Sequence, residues 1–196
     1  MRTDEGIVVE SKPFKERGRL ITIFSRESGL LKLLAIRISK KDSETQAATS
    51  LFAFSEYLHE PKEGGLSFLK EAKLLGYHEE MRKELAHIKT ASSMAQAILS
   101  SQLVGKPAVQ LFELFSAYLG AIPMVPGGAL FASFMLKILR HEGVFAQREL
   151  NFMFAGEDLK LVRRLAEARR FEELNLSITP VFEAKVLELF RRGVNR

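Results

Sequence analysis

Through the first 78 residues the apolar positions fall in short blocks; beyond them they recur every three to four residues, so the chain passes from strand to helix patterning. Five runs rich in Ile, Val, Leu, Phe and Thr predict strands: Gly6–Phe14, Arg19–Ser25, Leu30–Lys40, Leu51–His59 and Leu66–Leu75. Ser28–Gly29 and Pro61–Gly65 predict hairpin turns. In the fifth run, alternation puts Leu66, Phe68, Ala72 and Leu74 on one face, with Lys70 as the exception. The second and third runs alternate poorly, which predicts burial on both faces. Five short antiparallel strands with no long helix between them suit a small barrel, with the five-stranded oligonucleotide-binding (OB) barrel as the leading architecture.

Beyond Glu79, a helical stripe carries Met81, Leu85, Ile88, Ala91, Ala95 and Ile98 up to Leu103. The next helix is predicted to open at Pro107 and is apolar almost all round through Ile122, which makes it a central core helix. After Pro126-Gly127-Gly128, a third helix carries Leu130, Phe131, Phe134, Met135, Ile138 and Leu139 and stops near Gly143. Two shorter helices follow, one from Asp158 as N-cap to Arg170, the other from about Pro180 to Gly193. The polar stretch Ser39–Ser50 predicts a loop. The expected fold class is therefore α+β, an OB-type barrel domain over 1–78 and an all-α domain over 79–196.

Composition narrows the function. The 196 residues are 46% hydrophobic and 27% charged, as a globular chain is. The net charge of +5 favours a polyanionic partner, nucleic acid or an anionic membrane surface. The absence of cysteine rules out disulfides and thiolate metal sites, and His59, His78, His87 and His141 are too scattered for a helical metal pair. No apolar stretch is long enough to span a membrane, and the charged N-terminus lacks a signal-peptide core, so the cytoplasm is the expected location. With no phosphate loop, nucleophile elbow or metal-ligand spacing, no enzyme activity and no cofactor are expected.

The basic residues of the barrel half carry the functional signal. Lys12, Lys15, Arg17 and Arg19 surround the first strand connection, and Lys32, Arg37, Lys40 and Lys41 lie on the third strand and the loop after it. OB barrels hold a nucleic-acid strand on those elements, where phosphates need Lys and Arg; a solvated basic surface explains the same charges. Phe14, Phe24, Phe52, Phe54 and Phe68 are expected in the core, and Tyr57 is either an exposed ring or a barrel-end packing residue. Phosphate contacts should then dominate, giving salt-sensitive binding without sequence preference. A second basic stripe, Lys160, Arg163, Arg164 and Arg170, is either a further DNA contact or a solvated face. Phe134, Lys137 and Arg140 on the third helix suggest a groove for an acidic peptide with an apolar end, or ordinary core packing.

The segment Lys12–Gly29, with its basic-Pro-aromatic start, Arg19-Leu20, Ile21-Thr22-Ile23-Phe24 and Glu27-Ser28-Gly29, resembles the opening of RecO proteins. Leu69-Lys70-Glu71-Ala72-Lys73-Leu74 is similar to that family's fifth strand, and the helix ending His141-Glu142-Gly143 stands where the family has a helix. The resemblance implies an OB barrel and helical domain that bind single- and double-stranded DNA and promote strand annealing. It further implies contact with the C-terminal tail of single-stranded-DNA-binding protein (SSB) and, with RecR, loading of RecA onto SSB-coated DNA. The chain departs from the family in its cysteine-free Val144–Ala155, where many members carry a zinc module, in Gly29-Leu30 where members often have Gly-Arg, and in a sparser basic stretch after the third strand. The competing reading is a non-enzymatic protein–protein adaptor with an incidental basic surface, and a third is a small hydrolase or transferase with an unrecognised site.

Overall fold

A computed structural model of the chain describes residues 1–16, 18–36, 43–62 and 65–194. Five strands, β1 (Arg2–Phe14), β2 (Gly18–Ser25), β3 (Gly29–Ala35), β4 (Phe54–Pro61) and β5 (Leu66–Gly76), close into a barrel in the order β1-β2-β3-β5-β4. All neighbours are antiparallel except β3 and β5, which pair in parallel through Lys32, Leu33 and Leu34 against Leu66, Ser67 and Phe68. A short helix, α1 (Ser43–Ala48), lies between β3 and β4 within the stretch expected to be a loop. Its six residues are too few to stand out as periodicity, and its stability comes from packing against the barrel. This is the OB topology expected from the strand count.

The compact unit around the barrel comprises Met1–Glu79 together with Gln102–Ser116. Val8, Ile21, Ile23, Leu33, Ala53 and Tyr57 form its interior, fully buried, with Leu31, Leu69, Ala72 and Leu74 packed against them. Leu66 and Phe68 do not share the face of Ala72 and Leu74. His59 pairs with Leu69 and Leu58 with Glu71, so Lys70 is an extra, bulged residue that resets the alternation. The apparent exception in the sequence is that bulge. Val9 is a second bulge, between Val8 opposite Ile23 and Glu10 opposite Thr22. Tyr57 is an interior residue, and its hydroxyl donates to the Ala48 carbonyl at 2.7 Å.

One end of the interior is polar. Asp4 and His59 are 3% and 2% exposed; the His59 Nε2 to Asp4 Oδ2 distance is 2.8 Å, and the Ser25 hydroxyl donates to Asp4 Oδ1 at 2.7 Å. Ser25 Oγ also accepts the backbone N–H groups of Glu27 and Ser28, tying the cluster to the β2–β3 turn. Burial pushes the Asp4 carboxyl up, but hydrogen bonds from Ser28, His59 and Ser25 and the His59 charge outweigh it, and the group is held below its ordinary 3.8. At that turn Gly29 has φ +67°, and a Cβ there would stand 2.0 Å from the Lys106 carbonyl oxygen.

The second unit comprises Glu80–Ser101 and Ala117–Arg196. The stripe expected over 79–103 is broken into α2 (Glu79–Arg82) and α3 (Leu85–Ser101). The next helix, α4 (Val109–Ala121), begins two residues after Pro107, and the division between the units falls inside it. Then follow α5 (Gly127–His141), α6 (Gln147–Met153), α7 (Gly156–Glu167), a 3₁₀ turn at Phe171–Leu174, and α8 (Pro180–Val194). The nine buried residues of α5 and its packing against α3, α7 and α8 make it the central helix of this unit. The N-cap of α7 is Ala155, not Asp158, and the helix stops at Glu167, short of the expected Arg170. Asp158 sits in the first turn, where a carboxylate favours the helix dipole, and there it accepts Lys185 at 3.0 Å. The short stretch Val144–Ala155 holds α6.

Two outcomes test this account. Gly29→Ala should lower stability by at least about 1–2 kcal/mol, because the left-handed conformation disfavours a Cβ and the Lys106 backbone blocks it; a urea unfolding midpoint measures this. The contribution of Asp4 is complete above its ordinary value and fades as pH falls through the lower folded value. The stability gap between wild type and Asp4→Asn should therefore narrow as pH drops from about 5 to about 2, read by circular dichroism.

Candidate nucleic-acid interface

In an OB barrel the ligand face is the outer surface of the second and third strands. The inward set Ile21, Ile23 and Leu33 fixes the opposite set on this barrel: Leu20, Thr22 and Phe24 on β2, and Leu30, Lys32 and Leu34 on β3. That face is divided into a covered half and an open one.

The covered half ends in Phe24 and Leu30. Phe24 is fully buried, with the rings of Phe112 and Phe115 at centroid distances of 6.0 and 6.2 Å; Phe54 lies 6.3 Å from Phe112. Leu30 is 3% exposed and bridges in parallel to Val104, while the Gly105 N–H donates to its carbonyl at 2.9 Å. Arg26 stacks over Phe112 at 5.5 Å and pairs with Glu113 at 2.5 Å. The segment 102–116 of the same chain thus occupies the place where a ligand strand could run. Burying the Phe24 ring contributes about 1.5–3 kcal/mol to folding, comparable to the roughly 1–3 kcal/mol of stacking a base on it. This ring serves the fold.

The open half holds exposed Lys12 and Lys32, with half-buried Leu20 and buried Thr22 between them. Lys12 faces Leu20, which faces Leu34; in the next row Glu10 faces Thr22, which faces Lys32. Lys12 and Lys32 are exposed and flank β2 on this face. Lys12 Nζ lies 2.7 Å from Glu10 Oε1, and the Thr22 hydroxyl donates to Glu10 Oε2 at 3.3 Å. Lys15, exposed at the end of the β1–β2 hairpin with φ +52°, lies 5.5 Å from the Phe14 ring centroid.

Arg19 goes elsewhere. It shares the inward parity of Ile21, and its guanidinium donates to the Thr49 carbonyl at 3.4 Å, beside Ser11, which donates to the same oxygen at 3.1 Å. The carbonyls at the buried C-terminal end of a short helix must be met, and Arg19 is one of the side chains that meets them. Arg17, Arg37, Lys40 and Lys41 lie outside the described residues. Of the five phenylalanines expected in the core, Phe24 and Phe52 are there; Phe14, Phe54 and Phe68 are half-buried. Glu10 had no signal in the sequence, because its placement depends on the Val9 bulge.

In the helical unit the other two candidate sets are held by local partners. Phe134 is fully buried, with its ring 5.4 Å from that of Tyr118. Lys137 donates to the Ala168 carbonyl at 2.5 Å, Arg140 to Ala166 at 3.0 Å and Ser133 to Leu165 at 2.7 Å. One stripe of α5 thus meets the C-terminal carbonyls of α7. Burial, with the neighbouring Arg140 charge, lowers the Lys137 ammonium below its usual value. On α7, Lys160 pairs with Glu157 at 2.7 Å, and Arg164 donates to the Glu173 carbonyl at 3.2 Å. Arg170, beyond the helix, pairs with the Glu173 carboxylate at 3.3 Å, and Arg163 stays exposed. Among the described residues, no three His, Asp or Glu side chains converge as metal ligands would, and no helix is long and apolar enough to cross a membrane.

A closed barrel with parallel β3–β5 closure, an intervening helix and a following set of helices defines an OB-fold protein with a helical domain. Residues 1–78 match the family model described as "Recombination protein O N terminal". The chain is 25% identical to the DNA repair protein RecO of Chlamydia muridarum, covering 94% of this chain and 92% of that one. It is 30% identical to the RecO of a Cyanothece species over 62% of this chain and 41% of the relative, and 29% identical to that of Chlamydia pneumoniae over 71% and 55%. Residues 1–78 are thus similar to the N-terminal domain of the RecO family, and nearly the whole chain is similar to a RecO protein. The chain spans about half the length of the latter two relatives.

Lys137→Met keeps the apolar stem and removes the donor to Ala168. It should cost about 1.5–3 kcal/mol of stability, the range for a hydrogen bond to a charged group, measured by chemical unfolding.

Proposed function

We propose that this protein acts in DNA repair and homologous recombination as a non-enzymatic, cytoplasmic mediator that binds single- and double-stranded DNA through phosphates and without sequence preference. Similarity to the DNA repair protein RecO of several bacteria supports the repair role. The observation that carries the DNA reading is the pair of exposed lysines, Lys12 and Lys32, flanking β2 on the open half of the OB ligand face. Lys15 extends that charge at the hairpin end, and Arg17, Arg37, Lys40 and Lys41, outside the described residues, are proposed as contacts from the sequence pattern. Positive charge that neutralises phosphates on two strands lowers their repulsion and lets complementary bases meet, which is how the protein would promote annealing.

The same proposal includes partnership with RecR, contact with the C-terminal tail of SSB, and, through them, loading of RecA onto coated DNA. Phe134, Lys137 and Arg140, suggested by the sequence for the tail contact, are engaged by the unit's own helices, and a tail binding there would compete with those contacts. Lys160, Arg163, Arg164 and Arg170 form the secondary DNA contact of this proposal, and a strand passing there competes with Glu157 and Glu173 for three of them.

Fluorescence anisotropy of a labelled mixed-sequence single strand, measured over a salt series, tests the reading. Wild type should show a log–log slope of about −0.7 for each phosphate neutralised, and Lys15→Gln/Lys32→Gln should flatten it by about 0.7 for each contact removed. No binding at low salt would overturn the DNA reading and leave the adaptor.

A further inference from the structure

The open half of the barrel face carries a carboxylate as well as lysines. Glu10 stands in the row Glu10–Thr22–Lys32 across three strands, beside the row Lys12–Leu20–Leu34. One of its oxygens is 2.7 Å from Lys12 Nζ and the other accepts the Thr22 hydroxyl at 3.3 Å, so the carboxylate is fixed from two sides. Thr22 itself is 3% exposed, which makes it a rigid anchor. Because segment 102–116 covers the Phe24 and Leu30 half, a strand on this face is confined to the half where Glu10 sits.

From this geometry we infer that Glu10 is a built-in competitor of DNA phosphate for Lys12, an affinity-limiting residue that keeps the barrel's hold on a strand weak and readily reversed. The inference rests on the DNA-binding reading above. A phosphate that approaches Lys12 must displace the Glu10 carboxylate and meets its negative charge on the way to Lys32. The pair is partly exposed, at 61% and 32%, so exchange is open to solvent and ions. A protein that pairs two strands and then leaves them gains from such a contact, since release is faster when an internal anion replaces each departing phosphate.

The test is the same salt series with Glu10→Gln, which keeps side-chain length and an oxygen for Thr22. Freeing Lys12 for one more phosphate should steepen the slope by about 0.7 and tighten binding about fivefold in 0.1 M salt. The double variant Glu10→Gln/Lys12→Gln should bind no tighter than Lys12→Gln. Glu79→Gln, at another exposed position, changes net charge equally and should bind as wild type does. If wild type binds with a steep salt slope and Glu10→Gln matches it, the inference fails while the DNA reading stands. An equal gain in Glu79→Gln, or a gain that survives loss of Lys12, overturns it in favour of a bulk charge effect. Absence of binding in wild type sinks both. Melting curves like that of wild type establish that the variants are folded.

Discussion

Closing five strands on themselves is the constraint from which the barrel unit's other features follow. The ring closes only because β3 and β5 meet in parallel, and it bends only because β1 and β5 each carry extra residues. The bulge at Val9 turns Glu10 and Lys12 to the outer face, and the bulge at Lys70 returns Ala72 and Leu74 to the interior. Closure thus creates the candidate interface, since it decides which side chains of β1 share a surface with Lys32.

Closure also makes an interior, and the interior must satisfy what it encloses. At one end Ser25 Oγ and His59 Nε2 meet the two carboxylate oxygens of Asp4, while His59 Nδ1 has no partner among the described residues. Elsewhere, Tyr57, Ser11 and Arg19 are drawn to carbonyls at the end of α1. The helical unit solves the same problem at α7, with Ser133, Lys137 and Arg140 of α5 as donors. Three cations that look like ligand contacts in the sequence, Arg19, Lys137 and Arg140, thus each donate to a backbone carbonyl of the fold. A buried carbonyl left alone costs about 1–3 kcal/mol, more than an exposed cation gains from a surface ion pair, about 0–1 kcal/mol.

The functional surface is what these demands leave over. The chain uses Phe24 and Leu30 for its own segment 102–116, and Arg19 for α1. Lys12, Lys15 and Lys32 remain exposed, with Glu10 paired to Lys12, and the proposed DNA contact rests on them. A face with few rings and mixed charge supports the proposed sequence-independent and readily reversed contact.

Much of this was legible in the residues. Short apolar blocks marked five strands, a three-to-four-residue recurrence marked the longer helices, and the Lys12–Gly29 pattern marked the family, because local periodicity and turn chemistry are written residue by residue. The destinations of individual side chains were not. Phe68 read as inward until the Lys70 bulge shifted the register; Arg19 read as a DNA contact until α1, too short to show periodicity, supplied the carbonyl at Thr49; Glu10 carried no signal at all. The amino-acid sequence by itself determined which elements form and the surplus of positive charge. Only the tertiary structure decided which charges remain available, because bulges and buried helix ends act between segments far apart in the chain.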